Sequence, residues 1–337
     1  MATPVADFIP LPGRLFRICL MLAMLLAASV WLGLSLGSTG GIQEVWQVVS
    51  RQVAADSVAA TIIWQIRLPR VVLAAVVGAT LALGGLVFQA LLRNPLAEPY
   101  MLGVSGGSAI GAISAMLLGL SAFPGVAFSA FGGSMLTLLL LLLLAAGRTT
   151  VNRDSLLLGG VMINAFCGAL IMFLISLSHG NEVRHILFWL MGDLSLFGND
   201  QLPLLLGVVP SFVVILVLAR TLNLLLLGRE EAAAMGVNVN LVTNLLLVAT
   251  TFMVSVVVCY SGLIGFVGLV IPHILRLLLG VDHRLLAPAA ILCGAAYLIL
   301  CDLLARTLHL SGELPVGIVT ALIGAPLFIF LLWRSRR

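Results

Sequence analysis

Continuous apolar runs, each about 20 residues long and so long enough to cross a bilayer as a helix, recur along the whole 337-residue chain. No other feature constrains the fold as strongly. The runs are rich in Leu and Ala and lack the alternation of polar and apolar positions that a membrane β-barrel requires. Composition agrees, with 61% hydrophobic and 9% charged residues against about a quarter charged in soluble proteins. The chain therefore reads as an all-α integral membrane protein. Spread over 337 residues, 61% apolar content supplies about ten spans at roughly 20 residues each.

Ten segments are marked by hydropathy, at roughly 15–36, 68–92, 101–120, 126–146, 155–177, 202–222, 241–261, 263–280, 286–305 and 315–333. Connections are short, so residues 1–337 form a single transmembrane domain. The two longest intervals, 37–64 and 179–200, each suggest a short surface helix, at Ile42–Ser50 and Val183–Leu190. The apolar run from Ile18 to Leu36 follows Arg14 and Arg17 and exceeds the length of a signal-peptide core, so it is expected to be the first span. Pro272 is expected to lie inside a span and to kink it.

Charge orients the ten segments. All 17 basic residues are Arg, and with a cytoplasmic N-terminus only Arg51, Arg67, Arg70, Arg184 and Arg306 fall outside, leaving twelve inside. That split obeys the positive-inside rule and places both termini in the cytoplasm. The net charge of +4 is scattered between apolar runs, so no nucleic-acid surface is expected.

The absence of Lys excludes chemistries that require it. The phosphate-cradling P-loop and Schiff-base enzymes both need a Lys, so this polypeptide cannot be a P-loop ATPase. Cys19, Cys167, Cys259, Cys293 and Cys301 lie mostly in apolar segments without paired spacing and read as small hydrophobes. No cluster has metal-ligand spacing, and no triad or carboxylate pair suggests catalysis. No catalytic residue, metal or cofactor is assigned to the chain.

Small residues point to tight helix contacts, above all Gly103, Gly107 and Gly111 at four-residue intervals. Gln89 and His273, near the ends of the second and eighth spans, read as hydrogen-bonded packing residues, while His179 and His185 flank the connection after the fifth. Between the sixth and seventh spans, Gly228 and Gly236 bracket about two helical turns with acids in the first, Arg229-Glu230-Glu231-Ala232-Ala233-Ala234-Met235, which suits the helix dipole. A partner-docking helix and an ordinary interfacial helix fit this segment equally well.

Several motifs, in order along nearly the whole chain, resemble one family. They are Arg67-Leu68-Pro69-Arg70, Asn94-Pro95-Leu96-Ala97-Glu98-Pro99 with Leu102-Gly103-Val104-Ser105, the Leu227–Gly236 segment, Gly265–His273 with Asp282-His283-Arg284, and Glu313-Leu314-Pro315-Val316-Gly317. They are similar to the FecCD-type permeases, the membrane subunits of ABC importers for ferric siderophores, haem and cobalamin. The resemblance implies the type II ABC importer permease fold. It further implies a homodimer with the translocation pathway at its interface, two cytoplasmic ATPase subunits that bind ATP and Mg, and a periplasmic binding protein that delivers a metal chelate. The expected location is the bacterial inner membrane.

Residue roles carry over from the same resemblance. Residues 228–236 match the family's coupling helix, with Gly228, Arg229, Glu230, Glu231, Ala233, Met235 and Gly236 facing the ATPase. Arg67, Arg70 and Arg306 match the periplasmic Arg residues that pair with acids of the binding protein. Anchoring at the headgroup level is the alternative for the first two; for Arg306 it is an intrahelical pair with Asp302, one turn earlier. The fifth and tenth spans are expected to line the pathway through Asn164, Gly168, Ser176, Gly317 and Thr320, and Thr149, Thr150 and Asn152 match the cytoplasmic gate.

The expected cargo is an iron chelate, haem or a ferric siderophore, with cobalamin as the alternative. A rival of another class is an ion-coupled secondary transporter. It would require an uncommitted carboxylate in mid-membrane, and the 13 acids fall in connections or near span ends, Asp302 coming closest.

Overall fold

The computed structural model describes residues 11–37, 42–50, 57–146, 153–308 and 313–335, which form helices joined by short connections, with no strand among them. The chain begins with α1 (Leu11–Ser35) and the short α2 (Ile42–Val49). Trp31 meets Trp46 edge-on at 6.4 Å, holding α2 across the end of α1. Then α3 (Val58–Thr61) starts where the Ser57 hydroxyl accepts the Ala60 N–H and continues through a π-helical turn, Ile62–Arg67, into α4 (Leu68–Leu91). Pro69 lies inside this continuous stretch, just after the π-helical turn, and the Trp64 carbonyl there accepts the Asn199 side-chain N–H at 3.1 Å.

The middle of the chain supplies α5 (Val104–Leu117), α6 (Ala127–Ala146), α7 (Arg153–Leu177) and α8 (Gly180–Met191). His179 and Glu182 form a capping box at the start of α8. The remainder comprises α9 (Val209–Val217), α10 (Ala219–Leu227), α11 (Arg229–Ala234), α12 (Val239–Ser261), α13 (Val267–Leu279), α14 (His283–Thr307) and α15 (Val316–Ser335). By length and hydropathy, seven helical stretches can cross a membrane, and Val104–Leu117, Val267–Leu279 and Val316–Leu331 are apolar but shorter. All ten expected segments are thus helical, though the expected sixth span, 202–222, is a 3₁₀ stretch Asn199–Val208 followed by α9 and α10, which break at Leu218. The expected surface helices are α2 and α8. Beside Pro272 in α13, Pro288 and Pro326 lie inside α14 and α15.

α4 is the core of the bundle. Its apolar window is 83% buried, whereas that of α7 is 11% buried. Lipid tails are as apolar as Leu, so helix association in a membrane relies on close packing more than on hydrophobic transfer, and here the backbones touch at glycines. A Cβ on Gly78 of α4 would overlap the Gly294 carbonyl of α14, and one on Gly85 would overlap the Gly268 carbonyl of α13. The Gly103, Gly107 and Gly111 series does the same for α5. A Cβ on Gly107 would strike Thr137 and Gly133 of α6, one on Gly111 would strike the Ser129 carbonyl, and Gly103 turns the chain at φ +84°.

α5 is short because residues 92–103 fold back into the bundle as a turn and a short 3₁₀ helix, Pro99–Leu102. The Pro99 ring occupies the space left by Gly84 and Gly268, and Asn164 of α7 donates to the carbonyls of Tyr100 at 3.1 Å and Met101 at 3.3 Å. The Tyr100 hydroxyl accepts the Ile264 N–H at 3.3 Å. Backbone that leaves the α-helix inside a membrane persists only where the protein supplies such partners.

Candidate functional site

Three regions hold the residues that sequence singles out. The first is the α10–α11 corner. Gly228 is buried and extended, and α11 follows it for 6 residues. Ala232 is fully buried against the main core, while Glu230, Glu231, Ala233 and Met235 face outward, Met235 at 59% exposure. Arg229 pairs with Asn240 at the start of α12. Gly236 ends the corner at φ +85°, a left-handed turn that favours glycine. The corner is therefore a stub pinned through Ala232 with an acidic, otherwise apolar outer face.

The corner is also tied to its neighbours. Arg93, at the end of α4, donates to the Leu225 carbonyl of α10 at 2.7 Å. Asn223 of α10 donates to Asp282 at 2.7 Å, and its amide oxygen accepts the His283 backbone N–H at 2.9 Å. Asp282 caps α14 through the Arg284 N–H and is clasped by the Arg284 guanidinium, with a closest approach of 2.7 Å. Sequence inspection placed Asp282-His283-Arg284 in a motif without seeing Asn223 as its partner, because the pairing joins residues 59 apart.

The Arg284 guanidinium is the chief cause holding the Asp282 carboxyl down at about 2, with Asn223 assisting, against an ordinary value of 3.8. A folded-state value below the ordinary one means that this contribution is full above pH 3.8 and is lost as pH falls through about 2. Thermal melts of Asp282→Asn are expected to lose that acid-side dependence, with a small effect at neutral pH because the pair is partly solvated. An unchanged acid limb would show that the clasp contributes nothing.

The second region lies at the opposite end of the bundle. Arg67, Arg70 and Arg306 are only 5%, 7% and 7% exposed, so all three expected docking residues are buried within this protomer. Arg70 contacts Asp302 at 2.9 Å and Glu313 at 2.5 Å, and Arg306 contacts Asp302 at 3.0 Å. The Asp302–Arg306 pair anticipated within one helix is present, and α4 adds a second Arg to the same acid. Arg67 donates to the Leu34 carbonyl at 2.8 Å, and Arg306 to that of Gly33 at 3.2 Å, so the open carbonyl end of α1 closes the cluster. Cations suit a helix C-terminus. The Glu313 side chain is 48% exposed and is where the cluster meets the surface.

The third region comprises the open faces of α7 and α15. Gly168 and Ser176 lie on the exposed side of α7, where a Cβ on Gly168 would meet nothing within 4 Å. Asn164 is instead committed to the 99–103 backbone. On α15, Gly317 packs against the Met191 and Leu263 carbonyls, and Thr320 is fully buried, bonded to the Gly317 carbonyl at 3.0 Å. Three of the five expected pathway residues thus hold helices together in the protomer. Thr149, Thr150 and Asn152, the expected gate, lie outside the described residues.

Asp302, the most buried acid, is committed to two Arg residues, and the partly buried Glu98 takes the Phe266 N–H at the start of α13. Gln89 is hydrogen-bonded as expected, donating to Gly268 and accepting from Arg276 at 3.1 Å. His273 instead packs edge-on against Phe328, its Nε2 buried without a partner. No group of His, Cys, Asp and Glu among the described residues is arranged to hold a metal.

Comparison with known proteins agrees with this layout. Residues 24–334 match the FecCD transport family. The vitamin B12 import system permease protein BtuC of Salmonella typhi is 43% identical over 275 residues, 82% of this chain and 84% of that protein. The protein of the same name from Klebsiella pneumoniae is 43% identical over 277 residues, 81% and 83% of the two chains. A solved inward-facing metal-chelate type ABC transporter superposes with a TM-score of 0.85 at 35% identity, covering 94% of this chain and 99% of that one. PsaBC from Streptococcus pneumoniae shares the fold alone, with a TM-score of 0.55 at 20% identity.

Proposed function

The chain belongs to the FecCD transport family, and from that premise we propose that this multi-pass membrane permease works as half of a homodimeric ABC importer that admits a metal chelate. The named relatives reorder the cargoes: cobalamin, a cobalt chelate, comes ahead of haem or a ferric siderophore. In this reading the three shorter apolar helices cross with the seven longer stretches, giving ten spans in the bacterial inner membrane with both termini cytoplasmic. The open faces of α7 and α15 meet their counterparts in the second protomer, and the pathway runs between them past Gly168 and Ser176.

Energy enters at α11. A chain without Lys has no P-loop, so ATP and Mg²⁺ are bound by separate ATPase subunits. The observation that carries this reading is the construction of the corner: an outward acidic face on a stub pinned by Ala232 and fastened through Arg93 and Asn223 to α4 and α14. A push on α11 would therefore move the core helix and the helix bearing Asp302 together. At the far end, the binding protein docks on the Arg cluster as a unit. The half-exposed Glu313 is where the cluster meets the surface and so where that protein would approach it.

Reversing two charges at the outer face tests the reading. Glu230→Arg with Glu231→Arg is expected to reduce recovery of the ATPase subunit with the permease by at least roughly tenfold, as for loss of an interface hot spot, and ATP-dependent uptake with it. If recovery and uptake both survive, α11 is not the coupling element.

A further inference from the structure

A cavity of about 290 Å³ opens between α5, α6, α8 and the end of α12, outside the α11 corner, the Arg cluster and the α7–α15 faces. Five aromatic rings, Phe123, Phe188, Trp189, Phe197 and Tyr260, line it. They are arranged as a connected wall, with Tyr260 edge-on to Phe197 at 5.4 Å and Phe123 tilted toward Tyr260 at 6.3 Å. Two carboxylates, Glu182 and Asp193, share the lining. Among the described residues they accept backbone N–H groups, of His179 at 3.2 Å and Ser195 at 2.8 Å, and neither belongs to an ion pair there.

Ring faces carry negative charge and attract cations, more strongly where water is excluded. Two carboxylates without counter-ions beside such rings make the cavity selective for positive charge, and the apolar wall demands an apolar body next to it. Arg184 already stacks over Phe188 at 5.7 Å, so one ring of this wall accepts a guanidinium. His185, Cys259 and Tyr260 are the other titratable side chains of the lining, His185 on the same helix as Glu182. The volume lies at the small end of ligand pockets, roughly 300 Å³, which fits a compact molecule and excludes a corrinoid or haem.

We propose that this cavity binds a small amphipathic organic cation, an ammonium or guanidinium carried on an aromatic or branched apolar body. The site is independent of the transported cargo and of the reading above. It reaches the transport machinery through α8: the Gly192 carbonyl just after that helix accepts the Val316 N–H of α15 at 3.0 Å, and Gly317 packs on the Met191 carbonyl. An occupant bridging α8 to α5 and α12 would therefore hold the start of α15 in place.

Titration of the full-length protein in nanodiscs of phosphatidylcholine, with phenethylammonium and its neutral counterpart phenethyl alcohol, tests the proposal by calorimetry. The cation is expected to bind saturably and roughly tenfold or more tighter than the alcohol, the scale of a desolvated cation–π contact. Glu182→Gln with Asp193→Asn keeps a side-chain oxygen to accept each backbone N–H and is expected to remove that preference while leaving alcohol binding unchanged. Equal affinity for the two probes, a preference that survives the double substitution, or no saturable binding of the cation would each overturn the assignment.

Discussion

Replacing Asp302 by Ala is expected to destabilise the folded permease by about 3–5 kcal/mol, the usual cost of removing one partner from a buried ion pair. The carboxylate is fully buried and faces two guanidiniums, Arg70 at 2.9 Å and Arg306 at 3.0 Å. Without it, two desolvated cations face each other with Arg67 close enough to add to the repulsion, and among the described residues the half-exposed Glu313 is left to oppose them. Asp302→Asn keeps the volume and one acceptor but not the charge, and should fall between. Glu313→Gln should cost least because its side chain is solvated. Detergent-solubilised thermal melts order the three variants, and a melt of Asp302→Ala equal to the parent protein would contradict the network.

Adding one methyl group to α4 is expected to do comparable damage. In Gly85→Ala the new Cβ would overlap the Gly268 carbonyl, and the obstacle is backbone on both sides, with no flexible side chain able to yield. Overpacking of this kind costs about 1–3 kcal/mol or more, and here it separates α4 from α13 along with the Pro99 ring seated between them. Gly132→Ala is the control, since its Cβ would meet nothing within 4 Å. Size-exclusion profiles and melts of the two variants should differ sharply, with Gly132→Ala behaving like the parent. Equal behaviour would mean that the helices can part without loss.

These two effects also mark what the chain reveals before it folds. The span pattern is legible because each apolar run is local, and the Gly103, Gly107 and Gly111 spacing announces a close contact for the same reason. What that spacing cannot announce is the partner, which is α6. The burial of Arg67 and Arg70 is not legible because an Arg at a span end looks the same whether it reaches lipid headgroups or a buried acid, whereas the Arg306 pair with Asp302, one turn away, is. Only the approach of Asp302, 232 residues from Arg70, decides it. Asn164 looks like a polar pathway residue until the 99–103 backbone folds back to meet it. The break at Leu218 has no Pro or Gly to signal it, and Pro288 and Pro326, which do carry such a signal, sit within continuous helices.

The coupling corner shows the opposite balance. Its glycines and first-turn acids mark a short helix from sequence alone, while its fastening through Ala232, Arg93 and Asn223 is seen only in the fold. A loose interfacial helix would need no such fastening. Against an ion-coupled carrier stands a separate observation at the other end of the bundle: among the described residues the most buried carboxylate, Asp302, is committed to Arg70 and Arg306.

Uptake into proteoliposomes decides the central claim. With the ATPase subunit inside, the binding protein outside and cyanocobalamin supplied to it, accumulation is expected only with ATP and Mg²⁺, and it should vanish with the Glu230 and Glu231 reversal. A ferric siderophore or haem substituted under the same conditions reports the cargo. Accumulation driven by an imposed proton or sodium gradient, with the ATPase subunit omitted, would contradict the account.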